Sequence, residues 1–126
     1  MADNREAVGH GRLSVVRTEA DDITVLGLDG EIDHQSVPGL TRALSPGDTA
    51  AGHRVVVDLS QVTFMDSSGV NALIAAFHST QAAQGWLRLV GARGSVLRTL
   101  QLVGLDTFVP FHPTLEDALA ATDAET

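Results

Sequence analysis

The sequence predicts an α/β protein built around a single mixed sheet, with an antiparallel hairpin at its N-terminal end and about four helices. Three observations lead to this prediction. Two β-rich runs near the start are separated by a short polar gap. Consecutive apolar residues at 55–57 are typical of a central strand covered on both faces. Strands then alternate with segments of helical periodicity, which implies parallel pairing between the later strands. The predicted element order is ββαβαβαβα.

The hairpin is predicted from strands at residues 13–17 and 23–28, which are joined by the polar residues 18–22. Residues 1–11 before it are polar and contain two glycines, so we expect a flexible N-terminus. The segment after it, residues 29–34, is rich in acidic residues and is predicted to be a loop.

The first helix has an apolar face formed by three residues at helical spacing, Val37, Leu40 and Leu44. Ser36 is its expected N-cap. Pro38 fits the first turn, because the N–H that proline lacks has no partner inside the helix there. A small polar loop is expected at residues 46–53, and the apolar strand that follows is predicted over residues 54–59.

The second helix is predicted to begin at Ser67 or Ser68 and to run to about residue 83. Residues 84–85, Gln-Gly, end it. A short apolar strand is predicted at residues 86–90, followed by a glycine-rich turn at residues 91–94.

The third helix is predicted from a stripe of four apolar residues, Val96, Leu97, Leu100 and Val103. Gly104 ends it, and an extended piece is expected at Phe108 and Val109. The last helix begins after Thr114, whose hydroxyl is the expected N-cap. Asp117 lies three residues later, in an acidic variant of the capping box.

The charge balance limits the classes of partner. Asp and Glu number 16 against 8 Lys and Arg, for a net charge of -8. Nucleic-acid binding rests on Lys and Arg that neutralise phosphates, and polybasic membrane binding needs the same residues, so we expect neither partner.

The chain has no cysteine, which excludes disulfides and thiol chemistry. No apolar run approaches the ~20 residues of a membrane span or forms a signal peptide, so we expect a cytoplasmic protein.

Metal and phosphate sites are not indicated. The five histidines have no spacing that places two ligands on one helix face: they are His10, His34, His53, His78 and His112. The glycine-rich residues 91–95 lack the Lys-Ser/Thr end of a P-loop and the third glycine of a dinucleotide fingerprint. We therefore expect no metal and no cofactor.

Serine hydrolysis is also disfavoured, although Ser67 lies at a strand-to-helix turn. A nucleophile elbow has glycine two residues before and two residues after the serine. Met65 occupies the first of these positions for Ser67, and only Gly69 fits. Ser68 is flanked at the same distances by Asp66 and a valine. We expect that the protein is not an enzyme.

The turn Asp66-Ser67-Ser68-Gly69 is the most informative segment. A helix N-terminus offers unpaired backbone N–H groups and a positive dipole end, which favour an acidic cap or a phosphate. Asp and Ser are also ordinary N-caps. One cap needs only one side chain, so either Asp66 or Ser68 can satisfy the helix. A second hydroxyl, such as that of Ser67, is then free to face solvent and to be phosphorylated.

Four segments resemble the STAS domain family (sulphate transporter and anti-sigma factor antagonist). Residues 55–60 and 64–70, VVVDLS and FMDSSGV, are similar to the family's strand and turn. Residues 29–33, DGEID, resemble its G-E-L-D loop, and residues 102–105, LVGL, resemble the helix end before its last strand. The resemblance covers residues 12–122 and implies one domain with the STAS fold, leaving residues 123–126 as a flexible C-terminus. Within this family, the sequence is most similar to the bacterial anti-sigma factor antagonists.

This resemblance implies a partner-switching regulator. The unphosphorylated antagonist would bind a kinase-type anti-sigma factor and release a sigma factor, phosphorylation would end that interaction, and a serine phosphatase would reset it. By position, the phosphoacceptor falls on Ser67, with Asp33 and Asp66 flanking it. Ser68 would cap or line the turn, and Gly69 would keep it tight. The alternative is a STAS interaction or scaffold module without a phosphoswitch.

Overall fold

The computed structural model describes residues 13–45 and 52–121, together with the backbone of a short strand at residues 5–6. Six strands and four α-helices are found there, with one 3₁₀ turn at Leu105–Thr107. The strands are β1 (Arg5–Glu6), β2 (Leu13–Ala20), β3 (Ile23–Ile32), β4 (Arg54–Met65), β5 (Trp86–Val90) and β6 (Phe111–His112). The helices are α1 (Val37–Leu44), α2 (Ser67–Ala82), α3 (Gly94–Leu102) and α4 (Leu115–Ala120).

The strands form one mixed sheet in the order β1-β2-β3-β4-β5-β6. The first two pairings are antiparallel and the last three are parallel. From β2 onward, the predicted order ββαβαβαβα and the mixed sheet are confirmed. Within the described residues, no helix has the length and apolar character that crossing a membrane requires.

The core has two layers, one on each face of the sheet. Val55 and Val57 belong to the larger core, which they share with buried residues of α1, α2 and α3. Val56 belongs to the smaller core, which it shares with Ala118 of α4. These three consecutive valines are at most 1% exposed. The apolar run at 55–57 is therefore the central strand that the sequence predicted.

The hairpin is confirmed, but its strands are longer than predicted. Asp21 and Asp22 have φ values of 51° and 69°, and Ala20 pairs with Ile23. This is a two-residue turn with both central residues left-handed, which matches the twist of a hairpin. Thr18 and Glu19 continue β2 with both side chains exposed, because an antiparallel strand tolerates polar side chains where the core does not cover it.

The loop predicted at residues 29–34 is wrong for most of its length, because β3 continues to Ile32. The predicted end of the next strand at residue 59 is also wrong, since β4 continues to Met65. The β3–β4 register shifts twice, between Gly27 and Asp29 and between Gly30 and Glu31. Each shift places one more residue on β4 than on β3. Such bulges break the alternation of apolar and polar residues on which a strand prediction depends.

Predictions for the C-terminal half are partly confirmed. The helix over residues 67–82 and the strand Trp86–Val90 lie where they were predicted. The Thr114 hydroxyl accepts a hydrogen bond from the Asp117 N–H at 3.1 Å, as expected for the cap of α4. Val103 is not part of the buried stripe of α3, because it is the C-cap and is 52% exposed. The extended piece predicted at residues 108–109 is wrong: the 3₁₀ turn precedes it, and β6 begins at Phe111.

Both chain ends and one loop fall largely outside the described residues. Of the expected flexible segment 1–11, the structure describes only the backbone of Arg5–Glu6, which pairs with Val15 and Val16 of β2 as a strand that the sequence did not predict. The expected flexible residues 123–126 lie outside the described part of the chain. The predicted loop 46–53 is described only at residues 52–53.

Candidate functional site

The candidate site lies where the parallel strands β3 and β4 end. Ile32 pairs with Met65, the last residue of each strand. The next residues, Asp33 and Asp66, therefore leave the same edge of the sheet from neighbouring strands, whose spacing is about 4.8 Å. The backbone N–H of Asp66 donates to the Ile32 carbonyl at 3.1 Å, which continues the ladder by one bond. The structure thus brings together the two acidic residues expected at the site.

Asp66 is the N-cap of α2. Its backbone is extended, with φ -103° and ψ -171°, and its carboxylate accepts a hydrogen bond from the Ser68 N–H at 2.9 Å. Its carbonyl accepts from the Gly69 and Val70 N–H groups at 3.1 and 3.3 Å. Of the two capping alternatives open from the sequence, the structure therefore selects Asp66, and Ser68 contributes its backbone rather than its hydroxyl.

Ser67 is the first residue of α2 and is exposed to solvent. Within the described part of the chain, its hydroxyl makes no hydrogen bond, and in particular none with a histidine. A paired general base is what a serine nucleophile needs. The arrangement therefore presents an accessible hydroxyl at a helix N-terminus.

Gly69 allows α2 to start close against the ends of β3 and β4. A Cβ atom at this position would lie 2.7 Å from Ile32 Cγ2 and 2.7 Å from Met65 Cγ. Real Cβ atoms do not approach so closely, and the β-branched Ile32 has little freedom to move away. The glycine therefore sets the distance between the turn and the sheet, which agrees with the expectation of a tight turn.

Asp33 shapes the start of α1 as well as the site. Its carboxylate accepts hydrogen bonds from the N–H groups of Gln35 and Ser36, each at 3.0 Å. The Ser36 hydroxyl accepts from the Asp33 N–H and donates to the Glu31 carbonyl, each at 2.9 Å. Ser36 is the N-cap of α1, as predicted, although its side chain makes no cap hydrogen bond to the helix. These bonds tie the end of β3 to the start of α1.

Phe64 is a surface feature of this edge to which the sequence analysis gave no role. It pairs in register with Glu31 and is 45% exposed, two residues before Asp66. With Asp29, Glu31, Asp33 and Asp66, it makes this edge both acidic and partly apolar. An aromatic residue within a β-rich run is ordinarily predicted to be core, and only the bulged register turns this one outward.

Comparison with known proteins identifies the family. A family model described as the STAS domain matches residues 14–118. The chain belongs to the STAS domain family. This STAS domain is 36% identical over 110 residues to the anti-sigma-F factor antagonist RsfB of Mycobacterium tuberculosis, covering 85% of this chain and 87% of RsfB. It is 28% identical over 97 residues to the anti-sigma-B factor antagonist of Listeria monocytogenes, covering 77% and 84% of the two chains.

A solved structure has the same fold. The crystal structure of an anti-sigma factor antagonist from Mycobacterium paratuberculosis superposes on this STAS domain with a TM-score of 0.74 and 34% sequence identity. The match covers 85% of this chain and 91% of the other. The family resemblance and the STAS fold expected from the sequence are thereby confirmed.

Proposed function

We propose that this STAS domain is an anti-sigma factor antagonist that binds a kinase-type anti-sigma factor and is switched off by phosphorylation of Ser67. The observation that carries the proposal is the division of roles at the turn. Asp66 caps α2, and Ser67 is left exposed with an uncommitted hydroxyl. Relatives named anti-sigma factor antagonists, which match most of the chain, support the same role.

The helix can carry a phosphate on Ser67 without unfolding. A phosphoserine adds about -1.5 to -2 charge at neutral pH. Ser67 lies in the first turn of α2, where backbone N–H groups lack intrahelical partners and the helix dipole is positive. Both features favour a phosphate at this position. Phosphorylation is therefore expected to act on the partner rather than on the fold.

The same phosphate would oppose binding of the kinase. For phosphoryl transfer, the bound kinase must bring the γ-phosphate of ATP to the Ser67 hydroxyl, so the product phosphoserine faces the phosphates of the remaining nucleotide. Asp33 and Asp66 stand beside it and add to the repulsion. A loss of only ~3 kcal/mol in the interface corresponds to a more than hundredfold weaker Kd.

The proposal includes the rest of a partner-switching cycle. The unphosphorylated chain would occupy the anti-sigma factor and so release a sigma factor, and a serine phosphatase would restore the unphosphorylated form. We assign this role to a single domain over residues 12–122, acting in the cytoplasm as a substrate of another protein's enzyme. Asp33, Asp66, Ser68 and Gly69 would form the partner-binding edge around Ser67.

The test is mass spectrometry of the full chain after incubation with ATP and candidate kinase-type anti-sigma factors. One phosphate on Ser67 is expected. Ser67→Ala should abolish it, and the neighbouring variant Ser68→Ala should keep it. A phosphate retained on the Ser67→Ala protein would contradict the assignment of the acceptor. The absence of any phosphorylation or binding would contradict the proposed function.

A further inference from the structure

An apolar patch lies on the same helical layer as the turn, outside the site described above. Of the four large apolar side chains that are exposed in the described residues, three lie at or after the end of α3: Leu102 at 80% exposed, Val103 at 52% and Phe108 at 43%. The ring of Phe108 packs edge-on against the half-buried Phe77 of α2, with centroids 5.0 Å apart. We call Phe77, Leu102, Val103 and Phe108 the α2–α3 patch.

The core of the protein does not need the exposed residues of the patch for its packing. Val96 and Leu100 are the buried residues of α3. Leu102 lies two residues after Leu100, which turns its side chain about 200° around the helix, away from the sheet. An exposed leucine alone needs no explanation, but three large apolar residues that are all exposed within residues 102–108 indicate an interaction surface.

The patch and Ser67 share one side of α2. Ser67, Asn71, Ile74 and His78 follow the spacing of a single helical stripe, and Phe77 borders it. The other side of α2 faces α1, where Ala72 and Ala76 line a groove with Leu44. Ten residues separate Ser67 from Phe77, or about 15 Å along the helix. A specific interface buries about 800 Å² on each partner, so an interface centred on Ser67 is large enough to extend to the patch.

We propose that the α2–α3 patch is a second contact surface for the kinase-type anti-sigma factor that modifies Ser67. This inference rests on the proposed function and assigns separate roles to the two ends of the interface. The acidic turn presents the acceptor, and the apolar patch supplies contact area that phosphorylation leaves unchanged. The partner therefore carries an apolar surface about 15 Å from its nucleotide site. A second copy of this chain is a less favourable occupant, because two chains of net charge -8 repel each other.

The test compares Leu102→Glu with Gln101→Glu. Both variants add one negative charge to an exposed position of α3, but only the first removes apolar surface from the patch. Leu102→Gln removes the same surface without adding a charge. Kinase binding is measured by calorimetry with ADP present, and phosphorylation of Ser67 by initial rates. We expect both Leu102 variants to weaken binding and raise KM by about tenfold, with kcat unchanged, and Gln101→Glu to behave as wild type.

Each outcome decides the inference. If both Leu102 variants bind the kinase and are phosphorylated on Ser67 with wild-type affinity and KM, the patch is not a contact surface for the kinase. The proposed function would remain intact. A concentration-dependent dimer in sedimentation velocity that Leu102→Glu abolishes, with kinase affinity unchanged, would assign the patch to a second copy and overturn the choice of partner. If the wild-type chain neither binds a kinase nor is phosphorylated, the proposed function fails, and this inference fails with it. Equal unfolding midpoints of the variants exclude misfolding as the cause of weaker binding.

Discussion

The carboxylate of Asp66 accepts a hydrogen bond from the backbone N–H of Ser68 at 2.9 Å, passing over the residue between them. The helix is capped by this bond, so the Ser67 hydroxyl is not needed for it. A modification of Ser67 can therefore change the surface of the protein without removing a cap. Structural dispensability of the Ser67 hydroxyl follows from this contact, and its accessibility follows from the exposed position of Ser67.

A phosphate mimic at the acceptor should weaken partner binding and spare the fold. For Ser67→Asp, we expect about a hundredfold weaker binding of the anti-sigma kinase and a change in unfolding free energy within ~0.5 kcal/mol. Ala75→Glu is the matched control, because it adds the same charge to an exposed position on the α1 side of α2. Unchanged binding by Ser67→Asp would favour the alternative of an interaction module without a phosphoswitch.

Removal of the α2 cap should cost stability. Asp66→Ala leaves the Ser68 N–H without its acceptor, and we expect the unfolding free energy to fall by about 0.5–2 kcal/mol. Asp66→Asn keeps an oxygen acceptor at the same place and should retain most of this stability. Urea denaturation of the three proteins measures the difference. Equal stability of Asp66→Ala and wild type would show that the cap is dispensable.

A methyl group at Gly69 should push α2 away from the sheet. Gly69→Ala places Cβ 2.7 Å from Ile32 Cγ2, and we expect a loss of about 1–3 kcal/mol in unfolding free energy, as for other overpacked sites. Asn71→Ala, at an exposed position of the same helix, should change stability by less than ~0.5 kcal/mol. If Gly69→Ala were as stable as wild type, the ends of β3 and β4 would have to move readily to accommodate the added methyl group.

His53 should make stability depend on pH. His53 is 4% exposed, and its burial lowers its pKa below the ordinary value of about 6.5. A hydrogen bond to the Leu44 carbonyl and the charge of Glu19 raise the pKa, but they do not cancel the effect of burial. Arg17 lowers the pKa further. The unfolded chain therefore binds a proton at a higher pH than the folded chain, so the stability contribution is full above about pH 6.5 and falls below it.

The measurement for His53 is chemical denaturation at several pH values between 7.5 and 5.5, for wild type and His53→Gln. The wild type should lose stability more steeply than the variant as pH falls through this range. Because carboxylates titrate in both proteins, only the difference between the two slopes reports on His53. Parallel slopes would contradict the prediction.

The fold was predictable where one local pattern was enough. Three buried valines in sequence indicated the central strand, and Thr114 with Asp117 indicated the cap of α4. The ends of β3 and β4 were not predictable, because bulges there break the periodicity. Gly104 ends α3 as predicted, but Val103 before it is the C-cap and faces outward, so the apolar stripe was predicted one residue too long.

The sequence pointed to residues 66–69 as the candidate site, but it did not decide which side chain caps α2. The sequence offered both Asp66 and Ser68 as caps, and only the hydrogen bond at the turn separates them. The neighbouring positions of Asp33 and Asp66 depend on a parallel register that the loop prediction missed. The α2–α3 patch was equally hidden, since the contact of Phe77 with Phe108 joins residues 31 positions apart.

The two bulges of β4 together preserve which face of this strand points to the larger core. Val57 and Leu59 face the larger core at odd positions, Val62 faces it at an even position, and Met65 faces it at an odd position again. Each extra residue inverts the facing of everything after it, and the second inversion cancels the first. A single deletion between the bulges and the turn would rotate Met65, and the helix start that follows it, to the opposite side. A single-residue insertion or deletion in this segment would therefore misplace the turn that carries Ser67.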